Sequence, residues 1–156
     1  MGRIYSLSFS AVSVSAAQDL FELVPATGKP IAIHEIRIGQ SSDAGDAQDE
    51  MLQVSIIRGN ATTGSGGTGS LTPVNMSQND GACGITDAEI NNTTVASTGT
   101  PVTLITDCFN VRSGWLYVPT PICQPVIAAA TRVCVRITAP ADAVTMSGTI
   151  VFEELA

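Results

Sequence analysis

The chain has 156 residues and a formal net charge of −7 at pH 7, because fourteen acidic residues face only seven lysines and arginines. Nucleic acids and anionic membranes both bind through basic residues that neutralise their charge, so we expect neither as a partner. The length suits one domain with a sizeable core, and no apolar run approaches the ~20 residues that span a bilayer.

The N-terminal segment, residues 3–15, alternates apolar and polar side chains and therefore predicts a β-strand. Its apolar residues are odd-numbered from Tyr5 to Phe9 but even-numbered from Val12 onward. A one-residue slip reverses the buried face of a strand, so we expect a bulge near Ser10. A signal peptide and a myristoylation signal are the alternatives for this segment, but neither needs a period of two.

Two further alternating segments, residues 31–38 and 51–58, are rich in β-branched side chains and predict the central strands. A shorter strand at residues 19–25 precedes them and is followed by a turn at residues 26–30. Between the two central strands lies a polar loop, residues 39–50, without apolar periodicity. We expect this acidic loop on the surface.

The acidic loop carries four carboxylates that are candidate ligands for a calcium ion, since Ca²⁺ prefers oxygen ligands. They are Asp43, Asp46, Asp49 and Glu50. The three aspartates fall every third residue, whereas an EF-hand loop has acids at alternate positions around a central glycine. A solvated loop is therefore the simpler interpretation, and we expect no cofactor.

Residues 59–101 form a long excursion rich in Gly, Ser, Thr and Asn. The glycine-rich run at residues 62–70 predicts a flexible loop, and only residues 71–76 and 85–95 indicate weak strands. Connections of this length in a compact domain are usually functional, ordered by a partner or mobile. We expect part of the excursion to be mobile in a free monomer.

Regular alternation returns in the C-terminal half and predicts four more strands. They lie at residues 102–109, 115–118, 132–138 and 144–155. Prolines make the connection at residues 119–125 stiff and non-helical. With eight to ten irregularly spaced strands and no helical periodicity, the sequence predicts a single all-β domain, an antiparallel β-sandwich of jelly-roll type with long loops. A small barrel is the alternative.

His34 is the only histidine, so any mechanism that pairs a serine or cysteine nucleophile with a histidine base would have to use it. It shares a strand with Ile36 and Ile38, and no motif of a nucleophile or metal site accompanies it. We interpret it as a partly buried, hydrogen-bonded histidine. A hydrolase is the third hypothesis, and we expect the protein not to be an enzyme.

The four cysteines, Cys83, Cys108, Cys123 and Cys134, lack the spacing of a zinc site. We expect free thiols, with Cys134 as a small buried residue between two valines. A disulfide between Cys108 and Cys123 is the alternative that the sequence leaves open.

Trp115 and Tyr117 lie two residues apart and so point to the same side of their short strand. They either pack at the core or form an exposed aromatic surface for carbohydrate or protein. A carbohydrate-binding β-sandwich module, with these rings as its platform and the acidic loop holding Ca²⁺, is the second hypothesis.

Three segments stand out in composition and layout: RIYSLS at residues 3–8, FNVRSGWLYVPTP at residues 109–121, and SGTIVFEE at residues 147–154. With them the whole chain resembles small virion proteins of tailed bacteriophages, the capsid decoration or cement proteins and related jelly-roll head proteins. The resemblance implies a homo-oligomer, typically a trimer, on the outer surface of the head and assembled in the host cytoplasm. It also implies that the protein bridges neighbouring subunits of the major capsid protein and has no catalytic residue.

The leading hypothesis is therefore a structural protein that decorates and stabilises a bacteriophage capsid. Charged residues make up only 13% of the chain, about half the ~25% of average soluble domains, and a weakly charged surface suits large permanent interfaces. The residues that we expect to contact a partner are Arg3, Ile4, Tyr5, Asp43, Asp46, Asp49, Trp115 and Tyr117, together with the excursion.

Overall fold

The computed structural model describes residues 2–155, which form two antiparallel β-sheets around one core. The strands are β1 (Arg3–Val14), β2 (Gln18–Pro25), β3 (Ile31–Gln40), β4 (Met51–Arg58), β5 (Val74–Asn75), β6 (Ile85–Asn92), β7 (Val102–Asn110), β8 (Trp115–Tyr117), β9 (Val126–Ile127), β10 (Val133–Ile137) and β11 (Val144–Glu154). No helix in this part of the chain is long and apolar enough to cross a membrane. The prediction of an all-β sandwich is confirmed.

The strand order identifies the topology. The first sheet has the order β5-β1-β11-β3-β8, with β9 also paired to β3, and the second has the order β6-β2-β10-β4-β7. The long strands pair in a nested way: β1 with β11, β2 with β10, β3 with β8, and β4 with β7. A long hairpin rolled up so that its pairs alternate between two sheets is a jelly roll. The structure therefore has the topology that the sequence predicts.

Strand β11 shows why the two sheets pack together. Every second residue from Val144 to Glu154 is buried. Met146, Ile150 and Phe152 are completely buried in the shared core, and each such side chain contributes ~1.5–3 kcal/mol by leaving water. The predicted inward side of this strand is confirmed.

Strand β1 contains the predicted bulge. Its register with β11 shifts between Phe9 and Val12, and Ala11 between them has a positive φ of 52°. The extra residue restores the phase of the strand, so that Val14 is again fully buried.

The excursion pairs with both sheets, because its residues 74–75 form β5 on the first sheet and its residues 85–92 form β6 on the second. Residues 62–68 run antiparallel to residues 90–97 through the bridges Thr62–Ser97, Ser65–Thr94 and Thr68–Ile90. This layer covers β2, of which seven of the eight residues are buried. A Cβ added at Gly67 would collide with the carbonyl of Ile90, so glycine here permits close backbone approach. The glycine-rich run is therefore paired with a neighbouring segment and is not a free linker, and its mobility stays a prediction.

The connection between β8 and β9 also differs from the prediction in part. Its proline-rich sequence forms a single 3-10 turn, Pro121–Cys123, instead of a wholly non-helical segment. Proline at the first position of such a turn loses no needed hydrogen-bond donor.

All four cysteines carry free thiols: Cys108 and Cys123 are exposed, and Cys134 is buried as predicted.

Candidate functional site

The predicted contact residues at the N terminus divide between the surface and the core. Arg3 is exposed and Ile4 is half-buried. Tyr5 is fully buried; its ring centroid lies 6.0 Å from that of Phe152, and its hydroxyl donates to the carbonyl of Gly81 at 2.9 Å. The expectation that Tyr5 meets a partner is thus corrected: it belongs to the core and ties the excursion to β1. Only Arg3 and Ile4 lie at the surface.

The first two carboxylates of the acidic loop bind donors of the chain itself. Oδ1 of Asp43 accepts from the amide of Gly45 at 3.0 Å. Oδ2 of Asp46 accepts from the hydroxyl of Ser42 at 2.6 Å and from the amide of Thr145 at 2.7 Å. The hydrogen bond from Ser42 is the main reason that the pKa of Asp46 lies below its usual range. Asp46 therefore joins this loop to β11.

The other two carboxylates, those of Asp49 and Glu50, accept hydrogen bonds from two further parts of the chain. Asp49 accepts from the side-chain amide of Asn110 at 2.6 Å. Both oxygens of Glu50 accept from the amide of Ala141, at 3.0 and 2.9 Å. A calcium ion needs several such oxygens around one point, and the described residues of this loop offer no group of three or more ligands. The candidate calcium site is not formed, and the loop is an acidic surface held by hydrogen bonds.

Trp115 and Tyr117 lie on the same side of β8, as predicted. Their rings are stacked, with centroids 5.6 Å apart and planes 16° from parallel. Trp115 is only 6% exposed, and its indole nitrogen donates to Oδ2 of Asp107 at 3.0 Å, which holds the pKa of Asp107 below its usual value. A carbohydrate platform needs an open ring face, and Trp115 has none to offer. The pair closes the end of the core.

His34 has the hydrogen-bonding role that the sequence predicts. Its Nε2 lies 2.9 Å from Oε2 of Glu153, and its Nδ1 lies 3.2 Å from the side-chain amide of Gln124. Both ring nitrogens are therefore engaged. The residue links β3, β11 and the loop before β9, and its two hydrogen-bond partners include no serine, threonine or cysteine.

A buried ionic cluster, which the sequence reasoning missed, lies between β2, β10 and the excursion. Arg136 Nε lies 2.7 Å from Asp19 Oδ1, and Arg132 Nε lies 2.5 Å from Glu22 Oε1. Both carboxylates are at most 1% exposed. The signal was present as alternating arginines on the outward face of the strand at residues 132–138, opposite two acids of β2. The ion pairs could not be predicted from this pattern without knowing that β10 pairs with β2.

The same cluster contains the only group of potential metal ligands that the described residues bring together. It consists of Asp19, Glu22 and Cys134. Each carboxylate is already neutralised by a guanidinium, and burial raises the pKa of the Cys134 thiol far above its usual value. Metals bind the thiolate form of cysteine, so these residues do not fit a metal ion. The cluster is a structural anchor.

An apolar strip lies along the β8–β9 edge of the first sheet. It consists of Leu116, Val118, Ile122 and Val126, whose exposed fractions run from 49% to 94%. Residues 113–131 around it contain no charged side chain. Exposed apolar residues without charges are the composition of an interface core.

A second apolar surface lies at the opposite edge of the same sheet. On and just after β5, Val74 is 65% exposed and Met76 is 63% exposed. Strand β5 is the first and β8 the last in the order of this sheet. The two apolar edges therefore face away from each other across the width of the molecule.

Comparison with known proteins gives no family for this chain. No protein-family model and no curated protein matches the sequence. Among solved structures, T=1 particles derived from infectious bursal virus align at 16% identity and a TM-score of 0.16, over 96% of this chain and 37% of the viral chain. Infectious bursal disease virus, Gx strain, aligns at 12% identity and a TM-score of 0.12, over 98% of this chain and 40% of the other. The chain spans well under half of each viral chain, and TM-scores this low carry no argument about fold or function.

Proposed function

We propose that this protein is a non-enzymatic structural subunit of a virion that decorates a bacteriophage head and stabilises it by bridging neighbouring capsid subunits. The jelly-roll topology supports the proposal, because it is an architecture of viral capsid domains and of lectins. The lectin alternative loses support because the Trp115 ring is covered and the carboxylates of the acidic loop do not converge.

The observation that carries the proposal is the apolar strip, together with the apolar β5 edge on the other side of the sheet. Two different patches on opposite edges suit a heterologous contact, in which the strip of one copy meets the β5 edge of the next. Such contacts form closed rings when the rotation between copies closes. The ring that we propose is a homotrimer, the number that the resemblance to decoration proteins implies.

Attachment to the head uses the surfaces that such a ring leaves free. These are the acidic loop and the exposed face of the excursion outside β5, while Arg3 and Ile4 join the contact at the β5 edge, where Met76 donates its amide to the carbonyl of Ile4 at 2.9 Å. Because hydrogen bonds hold the acidic loop and the excursion in place, little conformational entropy is lost when they meet the major capsid protein. In this proposal the protein lies on the outer surface of the head and is assembled in the host cytoplasm.

Self-association is tested by size-exclusion chromatography with light scattering. We expect a mass three times the 16.1 kDa of the chain. Ile122 is 94% exposed, so Ile122→Asp leaves the fold intact and places a charge in the proposed contact. The variant should weaken assembly by at least about tenfold in dissociation constant. Met51→Asp is the matched control, because Met51 is similarly apolar and 63% exposed but lies on the second sheet.

Attachment is tested by co-sedimentation of the protein with purified phage heads that lack it. The proposal expects a saturable bound fraction and greater resistance of the decorated heads to heat. A strictly monomeric wild-type protein that does not sediment with heads would sink the proposal.

A further inference from the structure

A shallow groove of about 640 Å³ crosses the outer face of the first sheet. It follows the backbone of one row of paired residues, in which Phe9 opposes Gly148, Gly148 opposes Ile38, and Ile38 opposes Trp115, while the side chains of Phe9, Ile38 and Trp115 pack in the core. Four strands lie side by side along this row, and strands are spaced ~4.8 Å apart, so the groove is ~14 Å long.

Two glycines form the floor of the groove. A Cβ added at Gly39 would find nothing closer than the Cα of Gly114 at 4.0 Å. Gly114 has a positive φ of 71°, which favours glycine. Open space therefore lies above the backbone of Gly39, whereas a Cβ on Gly114 would meet the carbonyl oxygen of Ile38 at 2.8 Å.

The walls of the groove differ in charge from the rest of the protein. The lining contains two arginines, Arg37 and Arg112, four hydroxyl side chains and no carboxylate. The whole chain has fourteen carboxylates and only six arginines. A positively charged groove in an acidic protein favours an anionic ligand.

Both arginines keep donors available for a ligand. Arg112 is positioned by the chain: its Nη2 donates to the carbonyl of Ala47 at 2.5 Å and its Nη1 to Oε1 of Gln40 at 3.5 Å. Arg37 is 62% exposed, and its Nε lies 2.5 Å from Oε1 of Glu35. A guanidinium has five N–H donors and binds carboxylates in a bidentate manner. These contacts use only part of that capacity.

We propose that this groove binds an extended acidic peptide segment. Its carboxylates pair with Arg37 and Arg112, and its backbone groups hydrogen-bond to the hydroxyls of the walls. A length of ~14 Å accommodates four or five extended residues. The aromatic residues of the lining, Phe9 and Trp115, are at most 6% exposed, so they give a sugar no ring to stack on. The inference does not depend on the chain being a virion protein.

The probe is hexaglutamate, titrated into the full chain by isothermal calorimetry at low salt, with hexaglutamine as the uncharged control. The net charge of the protein repels the probe, so binding has to be local. We expect binding of hexaglutamate only, weakened by added salt. Arg37→Gln and Arg112→Gln should each weaken it about fivefold to tenfold, whereas Arg58→Gln, an exposed arginine at the end of β4, should not.

A second variant tests the groove without removing a charge. Gly39→Leu fills the open floor, and Gly39 has neither a positive φ nor a close neighbour, so the fold tolerates the change. We expect this variant to lose hexaglutamate binding while its thermal unfolding stays cooperative. Equal binding of hexaglutamine, equal loss with Arg58→Gln, unchanged binding by Gly39→Leu, or tighter binding of oligogalacturonate than of hexaglutamate would each overturn the proposal.

Discussion

Arg136 and Asp19 form a bidentate pair inside the protein, with Nε donating to Oδ1 at 2.7 Å and Nη2 donating to Oδ2 at 3.1 Å. Asp19 is completely buried. The excursion completes the arrangement, because Ala96 donates its amide to Asp19 at 2.7 Å and accepts from Arg136 at 2.8 Å. One ion pair thus joins β2, β10 and the layer that covers them.

Breaking this pair should destabilise the protein strongly. Asp19→Asn leaves the partly buried Arg136 without its counter-charge, and such changes cost ~3–5 kcal/mol. Urea denaturation with linear extrapolation measures the free energy of unfolding. Glu35→Gln is the control: it breaks the pair with the exposed Arg37 and should cost less than ~1 kcal/mol. Similar losses in the two variants would contradict the structural role of the buried pair.

Glu22 should control whether residues 62–68 of the excursion stay attached to the second sheet. Its carboxylate accepts from the hydroxyl of Thr63 at 2.8 Å, the amide of Gly64 at 3.1 Å and the side-chain amide of Asn92 at 3.1 Å, beside the ion pair with Arg132. Glu22→Gln replaces one acceptor oxygen by a donor and removes the charge. Leaving such buried groups unsatisfied costs ~1–3 kcal/mol.

Hydrogen exchange measures this effect locally. Amides of residues 62–68 should exchange roughly fivefold to 150-fold faster in Glu22→Gln, as expected for that loss of free energy. Amides of the core strand β11 should change little. Asp87→Asn on β6 is the matched control and should leave the excursion protected. If exchange rose equally in residues 62–68 and in β11, the substitution would destabilise the whole protein, and the local role of Glu22 would be disproved.

The strands could be predicted because their signal is local. Residues 51–58 alternate, and β4 has these same bounds, Met51–Arg58. The bulge of β1 was visible because the phase of its apolar residues changes between Phe9 and Val12. Both features depend on neighbours in sequence, and side-chain period alone decides which face of a strand is buried.

The long-range contacts could not be predicted in the same way. Glu22 and Gly64 are 42 residues apart, and the sequence around either residue does not indicate that the two are in contact. The glycine-rich run therefore looked flexible, although its glycines serve close packing against residues 90–97. The alternation itself places Tyr5 on the buried side with Phe9, against the expected partner contact, whereas the hydrogen bond from its hydroxyl to Gly81, 76 residues away, could not be predicted. The groove over Gly39 and Gly114 also requires the register between strands, which the sequence does not contain.

The four thiols should differ in reactivity. Cys108 and Cys123 are exposed, whereas burial raises the pKa of Cys83 to about 11 and that of Cys134 further still. Because the thiolate is the reactive form, a disulfide reagent at pH 8 should label Cys108 and Cys123 quickly, the half-buried Cys83 more slowly, and Cys134 only on unfolding. Mass spectrometry of the labelled peptides identifies them. Rapid labelling of Cys134 in the native protein would show that the layer over it opens readily.

The carboxyl group of Glu153 should make the free energy of unfolding depend on pH. Burial alone would raise the pKa of its carboxyl, but hydrogen bonds from His34 and from the amide of Gly2 outweigh burial and place the pKa below its ordinary value of 4.5. Between the folded and unfolded pKa values the unfolded chain binds more protons, so stability rises with pH there. The contribution is complete above about pH 5 and is lost as the pH falls through the folded pKa.

Glu153→Gln should therefore be less stable than the wild type at pH 7 and should lose less stability on acidification. Urea midpoints from pH 7 down to about pH 3 test this, because the difference between the two proteins should shrink as the carboxyl becomes protonated. Asp142→Asn is the control, since Asp142 is exposed and its loss should leave the pH profile unchanged. A difference between wild type and Glu153→Gln that stays constant over the whole range would mean that the substitution acts through packing and not through the charge of Glu153.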